Sequence, residues 1–261
     1  MTHATLHLRP FQGLRRRLRR HRNRDEQSAG ARPVAGSGRR HRLGLLALAG
    51  IGLALSACQA PPENPLAPTA QRTAQEGEGL QTALLAGGCF WGIEGIYSHT
   101  KGVSGAVTGY HGGSAETATY EQSNTGTSGH AETVRITYDP KLIRYDELLR
   151  IFFTVGIDPT QANGQGPDIG DQYRAAIIPL TDEQREVATS FVQQMNASGK
   201  WAKPIAVKIE DHKQFYPAEA YHQNWIPKNR LVADIKGKEV EMIDKLRAEF
   251  PDYYRKDFLR D

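Results

Sequence analysis

Along the chain, apolar and polar positions change period several times, and each change marks an element. Residues 82–86 form an apolar run of strand length closed by two glycines, and residues 90–97 continue at helical spacing. Residues 102–113 are crowded with glycine around Tyr110, which predicts a loop that presents the ring or, equally, a turn in which the tyrosine packs. Residues 123–129 are again loop-like. From 129 to 138 the pattern alternates, with Val134, Ile136 and Tyr138 on one face and Thr133, Arg135 and Thr137 on the other, and Asp139-Pro140 ends the strand. Leu148, Leu149, Phe152 and Phe153 share one side of a helix over 145–155. An irregular section over 158–170 leads into a strand over 172–178. Thr181 is the cap of a helix that stops at Gly199, and residues 205–209 form a further strand. Residues 215–225 suit a short helix or ordered loop, and residues 238–250 a peripheral helix carrying Val240, Ile243, Leu246 and Phe250. Strands and helices in this order predict an α+β fold, a two-layer α/β sandwich of ferredoxin-like type with a mixed or antiparallel sheet and long Gly-rich loops.

One stretch stands outside this scheme. Residues 43–55, LGLLALAGIGLAL, are uncharged and apolar, follow Arg39-Arg40-His41-Arg42 and precede Ser56-Ala57-Cys58. The run is short for a membrane span and suits the apolar region of a signal peptide. Leu55-Ser56-Ala57-Cys58 resembles the bacterial lipobox, which implies lipidation at Cys58. A plain secretory signal or an uncleaved anchor is the alternative, Arg39-Arg40 weakly resembles a twin-arginine signal, and the 42 residues ahead of the apolar run leave room for a later translation start. The chain therefore divides into a leader over 1–57, a tether over 58–81 whose Pro, Ala, Gln, Thr and Glu composition predicts flexibility, and a domain over 82–261.

The leader also explains the charge. The chain as a whole is +4, yet residues 1–42 hold 12 Arg against Asp25 and Glu26, so residues 58–261 keep 21 basic and 27 acidic groups, a net −6. A mildly acidic domain gives no support to nucleic-acid binding. The whole chain is 39% hydrophobic, enough to build a real core. The leader predicts export, with the domain lipid-anchored on the periplasmic or extracytoplasmic face of a bacterial envelope. With only two cysteines in the chain and Cys58 taken by lipid, Cys89 is a lone thiol in an exported protein and calls for a chemical explanation.

Cys89 stands in Gly87-Gly88-Cys89-Phe90-Trp91, on the first turn of the predicted helix, where backbone N–H groups and the helix dipole favour a thiolate. Phe90 and Trp91 offer flat apolar surface beside it. The same letters also suit a buried cysteine in a core turn. Glu132 falls on the apolar face of its strand, where partial desolvation would keep it protonated as a proton donor, unless the strand begins at Thr133 and the carboxyl is solvated. Glu94 competes for this role, but its place in the helix predicts that it faces water. Asp168 and Tyr173 bracket a loop-to-strand junction. No Walker-type phosphate loop and no zinc-binding Cys/His spacing is present.

Taken together, Gly88-Cys89-Phe90-Trp91-Gly92, Gly109-Tyr110-His111-Gly112-Gly113, Gly129-His130-Ala131-Glu132, Asp158-Pro159-Thr160-Gln161, residues 166–174 and Phe215-Tyr216-Pro217-Ala218-Glu219 resemble the A-type peptide methionine sulfoxide reductases in order and spacing over about 82–230. The resemblance implies Cys89 as nucleophile and Glu132 as the acid that protonates the sulfoxide oxygen. It implies Tyr110 and Tyr173 as phenols on that oxygen, Asp168 as a polar group of the pocket, and Phe90 and Trp91 as the floor for the substrate's S-methyl, with selectivity for the S epimer. The implied substrates are oxidised methionines, free or in envelope proteins. No bound cofactor or metal is implied. Many relatives carry further cysteines, whereas none follows Cys89 here, so an external thiol (thioredoxin-like, glutaredoxin-type or small) is implied as reductant of a sulfenic acid. Ile157 and Trp225 depart from the residues common in relatives. Rival readings are another single-cysteine catalyst, a thiol peroxidase, or a non-enzymatic lipoprotein whose aromatic loops bind a partner.

Overall fold

The computed structural model describes residues 64–232 and 237–259. The leader and Cys58 lie outside the described residues. A six-stranded mixed sheet has the order β7-β6-β1-β3-β2-β8. Its strands are β1 (Gln81–Gly87), β2 (Val103–His111), β3 (Ala131–Tyr138), β6 (Ala175–Ile178), β7 (Lys208–Ile209) and β8 (Phe215–Pro217). All neighbours are antiparallel except β6 and β7. A separate hairpin, β4 (Gly164–Gln165) with β5 (Asp168–Ile169), punctuates the section expected to be irregular. The helices are α1 (Phe90–Ser98), the short α2 (Tyr120–Ser123), α3 (Tyr145–Ile151), α4 (Asp182–Ala197), the short α5 (Trp225–Lys228) and α6 (Lys238–Glu249). The α+β class expected from the pattern is observed.

The core lies between the sheet and α1, α3 and α4. Ala83, Leu85, Val134, Ile136 and Tyr138 project from β1 and β3 onto Ile93, Ile96, Leu148, Leu149, Phe152, Phe153, Val187 and Phe191, all buried. The period-2 alternation of β3 thus aims one face at the helices. The opposite face of β1 carries Leu84 and Ala86 into a smaller cluster with Ala131, Ala176, Ile178 and Phe215. Thr181 caps α4 as expected, its side chain accepting from the Gln184 amide at 3.1 Å. The expected helix over 145–155 is α-helical only to Ile151 and widens into a π turn over Phe152–Gly156.

Three expectations are corrected. Residues 102–113 are not a loop, because β2 is an interior strand held between β3 and β8. Its glycines answer a packing demand: a Cβ on Gly109 would stand 2.4 Å from both Phe215 Cζ and the Tyr216 carbonyl oxygen. Residues 64–80 are not a free tether. Asn64 Nδ2 donates to the carbonyls of Phe153, Thr154 and Ile157 at 2.8, 2.9 and 2.6 Å. Ala67 and Ala74 are buried, their amides donating to Thr154 Oγ1 at 3.0 Å and Asp146 Oδ1 at 2.9 Å. Glu76 accepts from the Tyr138 hydroxyl and from the Tyr145 amide. A composition poor in apolar side chains thus docks through hydrogen bonds. Finally, residues 215–225 contribute the edge strand β8 before the chain turns into α5.

Gly109→Ala is expected to lower stability by about 1–3 kcal/mol through overpacking against Phe215. Urea unfolding of the purified protein measures it, and an unchanged midpoint would contradict the close β2–β8 approach.

Candidate active site

The site forms where β1 turns into α1. Gly88 takes φ +81, a conformation an L side chain rarely adopts, and a Cβ there would meet Gln165 Cβ at 2.6 Å. That turn sets Cys89 as the N-cap of α1, with Phe90 as its first residue. Next to β1 in the sheet, β3 brings Glu132 beneath the same helix end, and Glu132 Oε2 accepts the Phe90 amide at 2.9 Å. Cys89 and Glu132 open into one cavity of about 370 Å³, lined also by Phe90, Trp91, Tyr120, Pro167, Asp168 and Tyr173 and by Lys238 and Glu239 of α6.

Glu132 is 3% exposed. Burial pushes its carboxyl up to about 8 against the pull of the Phe90 amide, with the Asp168 charge adding to the rise. At neutral pH it holds its proton. Cys89 departs from the expected thiolate. Burial raises its thiol well above the ordinary range, the Glu132 charge adds to this, and the Trp91 amide pulls the other way. A helix N-terminus does face the sulfur, but loss of water outweighs it, so the resting group is the thiol.

The aromatic wall is held by a residue that sequence reasoning gave no role. His222, 2% exposed, accepts the Trp91 indole N–H at Nδ1 over 3.1 Å and packs against Phe90 at 5.1 Å and Tyr120 at 4.6 Å between ring centroids. Burial lowers its pKa, which keeps the imidazole neutral and Nδ1 free to accept. Trp225, a departure from the common pattern, stacks on Trp91 at 3.9 Å with the planes 6° apart.

Two tyrosines exchange roles relative to expectation. Tyr110 is fully buried rather than presented; its ring packs 5.9 Å from Phe90 and its hydroxyl donates to Glu219 Oε2 at 2.9 Å. The cavity phenols are Tyr120 and Tyr173. Burial raises both, so they stay donors. Glu219 explains the swap, since its other oxygen accepts the Tyr120 amide at 2.9 Å and fixes that segment. The only sequence signal for Tyr120 was Thr119 ahead of it, which caps α2. Asp168 reaches the cavity as expected and pairs with Lys238 Nζ at 3.0 Å. Glu94 does not face water: it is wholly buried and accepts the Asn224 and Trp225 amides at 2.7 and 3.2 Å. No cluster of three or more metal-ligating side chains occurs among the described residues.

A thiol at a helix start, a protonated carboxyl held beneath that helix end and phenol donors around an aromatic cavity are the equipment of a cysteine-based catalyst. Residues 81–252 match the family described as peptide methionine sulfoxide reductase. The chain is 45% identical to peptide methionine sulfoxide reductase MsrA 2 of Mesorhizobium japonicum over 67% of this chain and 90% of that protein. It is 41% identical to MsrA 2 of Synechocystis over 72% and 85%. The fold superposes on reduced Mxr1 of Saccharomyces cerevisiae with a TM-score of 0.52 at 32% identity, covering 61% of this chain and 91% of that one. Methionine sulfoxide reductase A of Corynebacterium diphtheriae gives 0.50 at 32% identity over 59% and 77%. The chain belongs to the peptide methionine sulfoxide reductase family.

Glu132 carries a pH signature. With a folded pKa of about 8 against 4.5 unfolded, the native state binds the extra proton between those values. Stability is therefore full below the lower value and falls as pH rises toward 8, by up to about 1.4 kcal/mol per pH unit. Glu132→Gln is expected to flatten that slope in denaturant titrations between pH 5 and 8, and an unchanged slope would place the carboxyl in water.

Proposed function

We propose that the protein reduces methionine-S-sulfoxide, free or in proteins, through a sulfenic acid on Cys89. The observation that carries this is the pairing of one thiol with one buried, protonated carboxyl at the mouth of an aromatic cavity. The sulfoxide S-methyl would rest on Phe90 and Trp91, with its oxygen toward Glu132, Tyr120 and Tyr173. As the Glu132 proton moves to that oxygen, the Cys89 sulfur attacks the sulfoxide sulfur and the thiol's proton returns to the carboxylate. The hydroxyl passes to the Cys89 sulfur as the substrate's S–O bond and the newly formed S–S bond break, methionine departs, and Glu132 ends protonated as it began. A neutral Glu132 matters twice: it donates, and it withholds the negative charge that would oppose charge on the thiol.

An external thiol completes the cycle, since Cys89 is a free cysteine with no other cysteine among the described residues. The relatives' names support sulfoxide reduction as the activity. The cysteine–acid pairing favours it over a thiol peroxidase, which needs no buried proton donor for a substrate oxygen. The apolar run over 43–55 and the lipobox at Cys58 support an exported, lipid-anchored enzyme that repairs envelope proteins; among the described residues no helix is long and apolar enough to cross a membrane.

With dithiothreitol and the separated epimers of a methionine sulfoxide peptide, turnover of the S epimer alone is expected. Cys89→Ser should abolish it, and Glu132→Gln should lower kcat/KM about 10²–10⁴-fold, the range for a lost general acid. In that variant the Cys89 pKa, read by alkylation rate, should fall, because a charge that raises it is gone. Equal turnover of both epimers, or an active Cys89→Ser variant, would sink the reading. A diacylglyceryl mass on Cys58 at the native N-terminus would support the anchor, and an unmodified Cys58 would remove it.

A further inference from the structure

Cys89 borders a second cavity. About 270 Å³ in volume, it is walled by Asn64, Gly87, Gly92, residues 155–158, Gln161, Gln165, Met242 and Lys245, and it shares only Cys89, Lys238 and Glu239 with the first. It contains neither Glu132 nor any residue of the aromatic wall. Asn64 belongs to the segment ahead of β1 and Met242 to α6, so the two ends of the domain close it.

Glu239, in the first turn of α6, is 7% exposed, and its Oε2 is buried with no hydrogen-bond partner among the described residues. A buried carboxylate oxygen left unpaired in a folded protein calls for a use. The other charged groups around this cavity are engaged. Asp158 accepts from the Thr160 amide and hydroxyl at 2.9 and 2.7 Å. Lys245 donates to the Asn64 carbonyl at 3.1 Å. Lys238 bridges Asp168 and the Gln165 carbonyl, both at 3.0 Å.

We propose that this second cavity is the port through which a small thiol reductant reaches oxidised Cys89, and that Glu239 is the base that receives the thiol's proton. The inference rests on the sulfenic acid reading above. The oxygen arrives on Cys89 from the Glu132 side. Displacement at sulfur brings the incoming atom in opposite the departing one, so a thiol must come from elsewhere than the substrate cavity. The proton of R–SH passes to Glu239, the R–S sulfur bonds to Cys89 Sγ, the Sγ–O bond breaks, and the oxygen leaves as water with the proton of Glu132 on its own side; Glu239 then gives its proton to solvent and Glu132 takes one up. A second R–SH then attacks the mixed disulfide, giving RSSR and the Cys89 thiol. The volume suits a molecule the size of dithiothreitol or cysteine.

The test separates the two half-reactions in the full chain. Without reductant, one methionine per enzyme forms; the decay of the sulfenic acid is then followed against dithiothreitol concentration. Glu239→Gln is expected to slow that decay roughly 10- to 100-fold, toward the range of a lost acid–base group, and far more than it slows methionine formation. Met242→Trp, which narrows the port, is expected to raise the dithiothreitol concentration for half-maximal rate several-fold while methionine formation in the first turnover keeps its rate. Equal slowing of both half-reactions in either variant, or undiminished reduction by dithiothreitol in both variants, overturns the proposal. A parent enzyme that forms no methionine in the first turnover overturns the reading beneath it instead.

Discussion

The hydrogen bond from the Phe90 amide to Glu132 joins the two halves of the site. It ties the start of α1, where Cys89 is the N-cap, to the start of β3, which carries the acid, and it crosses from the helical layer to the sheet at the point where water is excluded. A carboxyl in that place has two demands made on it. Burial favours its neutral form, and the helix amide favours its charged form; burial wins, and the group titrates near 8. The balance leaves a proton donor that still orients its oxygen toward the sulfur's own helix. Much of the surrounding structure maintains it: the glycine turn at 87–88, the register of β1 against β3, and the packing of Phe152 and Ile157 beneath Gly87.

Around that bond the site is built by relays of polar groups that serve packing and chemistry together. Glu219 holds the buried Tyr110 hydroxyl with one oxygen and the backbone of Tyr120 with the other. His222, kept neutral by burial, accepts the Trp91 indole and so fixes the face that Trp91 presents. Glu94 ties α1 to the start of α5, which brings Trp225 over Trp91. Glu94 and His222 are buried and Glu219 is half-buried, and in each of these contacts losing one partner would strand the other.

How far the site could be read beforehand depended on range. Cys89 and Glu132 are marked by local pattern, one at a strand-to-helix turn and the other on the apolar face of a strand, whereas Asp168 and Tyr173 are tied to the pocket only by the family resemblance; all four line one cavity. Tyr110 was misjudged because glycine is ambiguous: the freedom that suits a loop also suits a strand whose neighbour approaches closely, and only the presence of Phe215 against Gly109 decides between them. The thiol's ionisation was misjudged for a similar reason. The helix dipole is a local property visible in the letters, while desolvation sums over everything packed around the sulfur.

The sequence by itself determined the class of fold, the alternation that turns one face of β3 to the core, the capped start of α4, and the candidate thiol and acid, because these rest on periods and signals within a few residues of one another. Tertiary structure alone decided which tyrosine enters the cavity, that residues 64–80 dock rather than dangle, that Glu94 is buried, and that α6 brings Glu239 and Lys238 to the sulfur from about 150 residues away. Those outcomes depend on contacts between distant segments, whose free energy comes from burial and from polar groups finding partners, and neither is written in local pattern.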